Sequence, residues 1–260
     1  MNQADLVDRA VNHTTIAMTT LYEDEYALRF PFALQTILTA TNKGYHVVVV
    51  DASLNDMVKS LMEEAGAIVH DQLGEGMGNQ KRQAVRKALE NPKSNMPIVL
   101  TCEPEKFGLV QHIPGIVAPI LHGMAGYVVA GRTARSKSTY PDSQIESEEE
   151  IQSVFLESTG LDFDVAFAPL AFPAHNAHHF TGYDGAKFGL SDKWDSTHLP
   201  AVFAHAAGVN VVRVDVDFRY PSAQKALEEI DEAMAEKRAK QREELCRAYE
   251  VIGKHLGLPR

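Results

Sequence analysis

The sequence has few cysteines and lacks a long apolar segment, and both features limit the classes of protein to which it can belong. Cys102 and Cys246 are its only cysteines, so neither a disulfide framework nor a CxxC metal site is available. No apolar run approaches the roughly 18 residues of a membrane-spanning helix. The first residues also lack the basic and apolar segments of a secretory leader. We therefore expect a cytoplasmic protein, because reducing compartments keep thiols unpaired.

Basic residues are in the minority as well. The chain has 25 lysines and arginines against 35 aspartates and glutamates, which gives a formal net charge of −10. Nucleic-acid backbones bind to basic faces, so this balance argues against nucleic acid as the main partner. The charge does not exclude a smaller anionic ligand, because local cations, a helix N-terminus or a bound metal can hold a diphosphate.

Apolar strand patterns and helical patterns alternate along the first half of the chain. The clearest strand is at 45–51, an unbroken β-branched run typical of a strand buried on both faces. This alternation predicts an α/β fold with a mostly parallel sheet between helices, whose ligands bind beyond the carboxyl ends of the strands. Further strands are predicted at 16–21, 67–70, 97–102 and 126–130, with helices at 26–41, 55–65, 79–90 and 110–124.

The second half of the chain is less regular before its last segment. Residues 163–180 contain two prolines and three histidines and are predicted to be irregular. A helix is expected within 194–208 and a final strand at 210–218.

A helical apolar stripe begins after Pro221 and is interrupted by a charged segment at 236–244. This pattern predicts one long helix or a helix pair with a solvated middle. We divide the chain into a domain at 1–220 and an extension at 221–260, which packs on the domain or mediates a homodimer. The stripe consists of Leu227, Ile230, Met234, Leu245, Ile252 and Leu256.

Two carboxylates, Glu103 and Glu105, flank a proline at the end of the strand predicted at 97–102. Residues two apart in an extended chain point to the same side. Both carboxylates can therefore face a hard cation such as Mg²⁺ or Mn²⁺ and, through it, a diphosphate. The alternative is a solvated acidic turn.

A glycine-rich segment precedes the helix predicted at 79–90. Gly76 and Gly78 let backbone amides approach a ligand, and Lys81 and Arg82 add positive charge near the helix N-terminus. The segment follows the third strand and matches neither a dinucleotide-binding nor a Walker A pattern. The alternative is a flexible surface turn.

Other polar residues near strand ends are further candidates. Asp51, with Ser53 close by, can bond a base or ribose or can cap the next helix. Asp195 is either a general base or a helix cap. Arg132 can bind phosphate or acceptor, or form a surface ion pair. His179 belongs to a histidine group with helical spacing and is a candidate metal contact.

In their order along 14–218, these motifs resemble those of GT-A glycosyltransferases, the family-2-like group in particular. The resemblance implies that Thr20, Tyr22 and Glu23 lie in a loop that contacts the nucleotide, and that Asp51 contacts its base or ribose. It also implies that Glu103-Pro104-Glu105 takes the place of the family's DxD metal motif. Asp195 stands where an acidic motif precedes a helix in that family.

The resemblance implies a GT-A fold, to which the pattern after Pro221 adds a long C-terminal helix. It further implies an enzyme that uses Mn²⁺ or Mg²⁺ to transfer a sugar from a nucleoside-diphosphate donor to an unidentified acceptor. The metal and Lys81 or Arg82 would stabilise the departing diphosphate. Three alternatives remain open: a nucleotidyltransferase of related fold, a non-catalytic GT-A-like binding or scaffold protein, and a metallohydrolase centred on residues 175–179.

Overall fold

A seven-stranded sheet lies at the centre of the structure, a computed structural model that describes residues 2–90, 92–228 and 232–258. Its strands are β1 (Thr14–Thr20), β2 (His46–Asp51), β3 (Ile68–Asp71), β4 (Ile98–Thr101), β5 (Tyr127–Arg132), β6 (Leu170–Pro173) and β7 (Val211–Val216). They are arranged in the order β3-β2-β1-β4-β6-β5-β7. β6 runs antiparallel to both of its neighbours, and the other pairs are parallel.

Helices cover both faces of this sheet. They are α1 (Gln3–His13), α2 (Phe30–Asn42), α3 (Asp56–Glu64), α4 (Met77–Glu90), α5 (Ile113–Leu121), α6 (Ala134–Lys137), α7 (Asp142–Thr159), α8 (Ala177–Gly182), α9 (Asp195–Ala206), α10 (Ser222–Glu228) and α11 (Glu232–Leu256). Short 3₁₀ segments occupy Phe107–His112, Ala174–Asn176 and Gly185–Phe188. No helix among the described residues is both long and apolar enough to span a membrane.

Two apolar clusters, one on each face of the sheet, form the core. Along β2, Val47 and Val49 belong to one cluster, whereas Val48 and Val50 belong to the other. This division follows from the two-residue period of a strand. The β-branched run at 45–51 therefore forms a strand that is buried on both faces, as predicted.

The alternating strands and helices predicted for the first half are confirmed, but α1 and the segment 163–180 differ from the expectation. The sequence pattern did not indicate α1. Residues 163–180, predicted to be irregular, contain β6 inside the sheet. β6 is only four residues long and ends at Pro173, so its periodicity is too short to detect. It is held by pairing with β4 and β5, which are distant in sequence.

The C-terminal helix α11 is anchored through its second half. Leu245, Ala248, Tyr249 and Ile252 are buried in the same cluster as residues of α7 and α9. Ile230 of the predicted apolar stripe lies outside the described residues. The helix therefore completes one face of the core.

We expect Ile252→Ala to lower the free energy of unfolding by about 2–5 kcal/mol, because it leaves a cavity in the core. Ile252 is fully buried, whereas Glu250 on the same helix is exposed. Glu250→Ala is therefore the control and should change stability by about 0.5 kcal/mol or less. Urea unfolding measures both variants. Equal effects would show that α11 does not pack as described.

Candidate functional site

Two adjoining cavities lie at the carboxyl ends of the central strands. The broad cavity, about 860 Å³, is lined by the loops that follow β1 and β4 and by the start of α4. The narrow cavity, about 160 Å³, extends from it toward α7 and α9. Their shared lining residues are Arg29, Glu103, Glu105, Ala168, Trp194, Thr197, Met234 and Lys237.

A buried hydrogen-bond network shapes the wall of the broad cavity. Oδ1 of Asp51 accepts hydrogen bonds from Thr20 Oγ1 at 2.6 Å and from Ser53 Oγ at 2.7 Å. The backbone amide of Tyr22 in turn donates to Ser53 Oγ at 2.9 Å. Thr20, Tyr22 and Glu23 line the cavity, whereas Asp51 and Ser53 are buried behind its wall.

Asp192 contacts two residues of the predicted glycine-rich site, Gly78 and Arg82. The amide of Gly78 donates to the carbonyl of Asp192 at 2.8 Å, and a Cβ at this glycine would clash with Asp192. Arg82 forms a bidentate pair with the Asp192 carboxylate, with both bonds at 2.8 Å. Gly78 and Arg82 are thus packing and bracing residues rather than ligand contacts, whereas Gly76 lines the broad cavity with φ +91°.

Lys81 is the cation of the glycine-rich segment that reaches the broad cavity. Its ammonium donates to the carbonyl of Lys193 at 3.1 Å and to the hydroxyl of Thr197. Burial lowers the pKa of Lys81 to about 8, although nearby carboxylates, chiefly Glu103, oppose this shift. An ammonium with few water neighbours interacts strongly with an anion.

Glu103 and Glu105 both line both cavities. Glu103 pairs with the ammonium of Lys106 at 2.6 Å, and Glu105 accepts a hydrogen bond from Tyr22 Oη at 2.9 Å. Burial and the charge of Glu103 raise the pKa of Glu105. Burial also acts to raise the pKa of Glu103, but the charges of Lys106 and Lys81 lower it below its ordinary value. The junction of the cavities therefore carries concentrated carboxylate charge.

Asp195 does not line either cavity. Its buried carboxylate accepts hydrogen bonds from Tyr183 Oη at 2.6 Å and from the amide of Lys193 at 2.8 Å. These contacts support the turn that begins α9 and give no route to an acceptor hydroxyl. The structure favours the structural alternative for Asp195. Thr197 and His198, in the same helical turn, line the narrow cavity instead.

Arg132 is buried rather than available to phosphate. Its guanidinium bonds Asp164 at 2.8 and 2.9 Å and Glu148 at 2.7 Å, and it lies 4.5 Å from the ring centroid of Tyr140. A buried charge must be paired, so Arg132 braces the wall of the narrow cavity through Glu148. The expectation that it contacts a ligand is not supported.

His179 lies apart from the two carboxylates. It lines a shallow cavity together with His178, whose ring centroid is 4.0 Å away. Across residues 2–90, 92–228 and 232–258, no group of three histidine, cysteine or acidic side chains is placed to share a metal. His179 is therefore not brought to Glu103 and Glu105, and the metallohydrolase alternative lacks a described ligand set.

Several lining residues were missed in the sequence. Arg29 and Lys237 lie at the junction of the cavities, and Lys106 and His198 line the narrow one. Lys106 lies in the segment 103–106 that the strand pattern points to, although no role was predicted for it, and the others come from distant segments. Burial, followed by the charge of Lys81, lowers the pKa of His198 to about 3, so its imidazole is neutral.

Comparison with solved structures identifies the architecture. Neither a protein-family model nor a curated protein sequence matches the chain. A structure of glucosyl-3-phosphoglycerate synthase from Mycobacterium tuberculosis with Mn²⁺, UDP-glucose and phosphoglyceric acid superposes with a TM-score of 0.60 at 13% identity, over 100% of this chain and 85% of that one. A structure of the same synthase with phosphoglyceric acid gives 0.56 at 12%, over 100% and 86%.

A third structure of that synthase, with Mg²⁺ and UDP, gives a TM-score of 0.52 at 13% identity, over 100% of this chain and 85% of that one. At such identities the likeness shows the fold alone. The expected GT-A fold, with its mostly parallel sheet and long C-terminal helix, is confirmed.

The Arg132–Asp164 pair predicts a pH dependence of stability. Burial alone would raise the pKa of Asp164, but its bonds to Arg132 lower it below the ordinary value. The carboxylate therefore contributes its full stabilisation above about pH 4, the pKa of an unfolded aspartate, and loses it as the pH falls further. We expect Asp164→Asn to be less stable by about 3–5 kcal/mol at pH 7.

The deficit of Asp164→Asn should shrink below about pH 4, where the unfolded chain takes up a proton that the native carboxylate does not, so the wild type loses this stabilisation. Urea unfolding across this range is the measurement. Asp162→Asn is the control, because that side chain is 75% exposed and pairs at the surface with Arg213. A deficit for Asp164→Asn that does not change with pH would contradict the assignment.

Proposed function

We propose that this protein transfers a sugar from a nucleoside-diphosphate-sugar donor to a small polar acceptor. The observation that carries the proposal is the pair of cavities at the carboxyl ends of the strands of a GT-A fold, which join at Glu103 and Glu105. Support comes from the similar synthase structures, which were solved with UDP-glucose or UDP and with Mn²⁺ or Mg²⁺.

The broad cavity suits the donor. Its volume of about 860 Å³ lies within the range of small-molecule sites, roughly 300–1,000 Å³. We assign the nucleoside to the wall formed by Thr20, Tyr22 and Glu23, and the diphosphate to the side formed by Gly76 and Lys81. Asp51 acts indirectly, because its bond to Thr20 holds this wall in place.

Glu103 and Glu105 fit a divalent cation. Mg²⁺ and Mn²⁺ take oxygen ligands, and Mg²⁺ commonly uses one or two carboxylates together with substrate phosphates and water. Each of these carboxylates has a second oxygen that its contact with Lys106 or Tyr22 does not use. A cation held here would neutralise charge on the departing diphosphate.

The chain's own residues supply positive charge and an acceptor site. Lys81 and Lys106 are both close enough for their charges to lower the pKa of Glu103, and they would stabilise negative charge that develops as the sugar–phosphate bond breaks. The narrow cavity would hold the acceptor, with the neutral imidazole of His198 available as a hydrogen-bond partner. Asp195 would keep Thr197 and His198 in place rather than move a proton.

A non-catalytic binding protein is the second candidate, and one observation favours it. The ammonium of Lys106 already occupies one oxygen of Glu103 and would compete with a cation there. Nucleotide binding that is independent of metal, without sugar transfer, would support this candidate.

The first measurement is thermal unfolding of the wild-type protein with UDP, GDP and their sugar conjugates, with and without Mn²⁺. A ligand that binds only the native state raises Tm by mass action; at 100 times its Kd the stabilisation is about 2.7 kcal/mol. We expect one nucleotide to raise Tm more with Mn²⁺ than without it. If no nucleotide shifts Tm, the proposed function is wrong.

Glu105→Gln tests the metal assignment while it keeps the shape of the side chain. We expect it to weaken Mn²⁺-dependent nucleotide binding by about tenfold or more, because a charged oxygen ligand is lost. Tm without ligand should change little. The control is Glu64→Gln on the exposed face of α3, which should bind as wild type. Wild-type affinity in Glu105→Gln would remove Glu105 from the metal site.

A further inference from the structure

The charged segment of α11, which the sequence predicts to be solvated, lies against both cavities. Lys237 and Met234 line both of them, and Arg238 and Gln241 line the narrow one. With Leu245, these residues have the spacing of one helix face. The cavities are therefore closed on this side by a segment that lies more than a hundred residues after Glu105.

This segment is anchored by the second half of its own helix. The second half of α11 is buried against α7 and α9 through Ala248, Tyr249 and Ile252. A continuous helix transmits this anchorage to the earlier turns, so residues 234–241 are held beside the cavities rather than free in solvent. The side chains of Lys237, Arg238 and Gln241 are therefore within reach of a ligand in the cavities.

Lys237 is the cation of this segment that lines both cavities. Its ammonium lies 5.8 Å from the ring centroid of Trp194, which also lines both. An aromatic face attracts an ammonium at this distance and so restrains the lysine at the junction, where Glu103 and Glu105 also lie. In a chain with a net charge of −10, a cation restrained beside a pocket favours an anionic ligand.

We propose that Lys237 binds the diphosphate of the donor, a role that rests on the proposed function. A lysine ammonium is a compact charge with three donors, and it binds phosphate oxygens by charge-assisted hydrogen bonds. Lys81 from α4 and Lys237 from α11 then approach the diphosphate from separate elements. The C-terminal helix is by this reasoning part of the donor site.

The test compares Lys237→Ala with Lys240→Ala by calorimetric titration in the presence of Mn²⁺. Lys240 is exposed on the same helix and lines neither cavity, so its variant removes the same charge elsewhere. The probes are UDP and UMP, or GDP and GMP if the wild type prefers guanine. Because Lys237 is also exposed, both variants should keep the wild-type Tm.

We expect Lys237→Ala to weaken binding of the diphosphate by about tenfold or more and of the monophosphate by about twofold or less. Lys240→Ala should match the wild type, and Lys237→Arg should recover most of the diphosphate affinity. Equal effects of the two alanine variants, or equal losses for both nucleotides in Lys237→Ala, would overturn the assignment. A wild type that binds no nucleotide would instead overturn the proposed function and the assignment with it.

Discussion

The site depends on one connected chain of hydrogen bonds that crosses the carboxyl edge of the sheet. Asp51 at the end of β2 accepts from Thr20 and Ser53, Ser53 accepts from the amide of Tyr22, and Tyr22 donates to Glu105. The loops after β1, β2 and β4 are thereby tied to one another. Hydrogen bonds are strong in a low-dielectric interior, so this network favours a single geometry of the three loops. The wall of the broad cavity and the position of Glu105 both follow from it.

A second set of buried charges supports the other walls. Asp192 binds Arg82 and the amide of Gly78, while Arg132 is enclosed by Asp164 and Glu148. Several of these residues have the chemistry of ligand contacts, yet their charges are already paired within the fold. Because a buried charge without a partner is strongly unfavourable, they brace the site rather than contact its occupants. The groups left to a ligand are the residues on the cavity surfaces.

The positions of the lysine side chains explain how a protein with a negative net charge could bind an anionic ligand. The chain carries a net charge of −10, but Lys81, Lys106 and Lys237 all line the cavities, and they come from three different elements. In a partly buried site, local charges outweigh the overall balance, since solvent screens distant surface charges more than near ones. Net charge therefore argues against an extended polyanion without excluding a diphosphate.

Local sequence patterns were enough to predict the class of fold and part of the candidate site. The run at 45–51, the alternation of strands and helices and the positions of Glu103, Glu105 and Lys81 could all be inferred, because periodicity and strand ends are local properties. The folded structure was needed to show that β6 enters the sheet, that Arg132 and Asp195 are enclosed, and that α11 borders the cavities. Those outcomes depend on contacts between distant segments and on which charges find partners, and neither is encoded in local spacing.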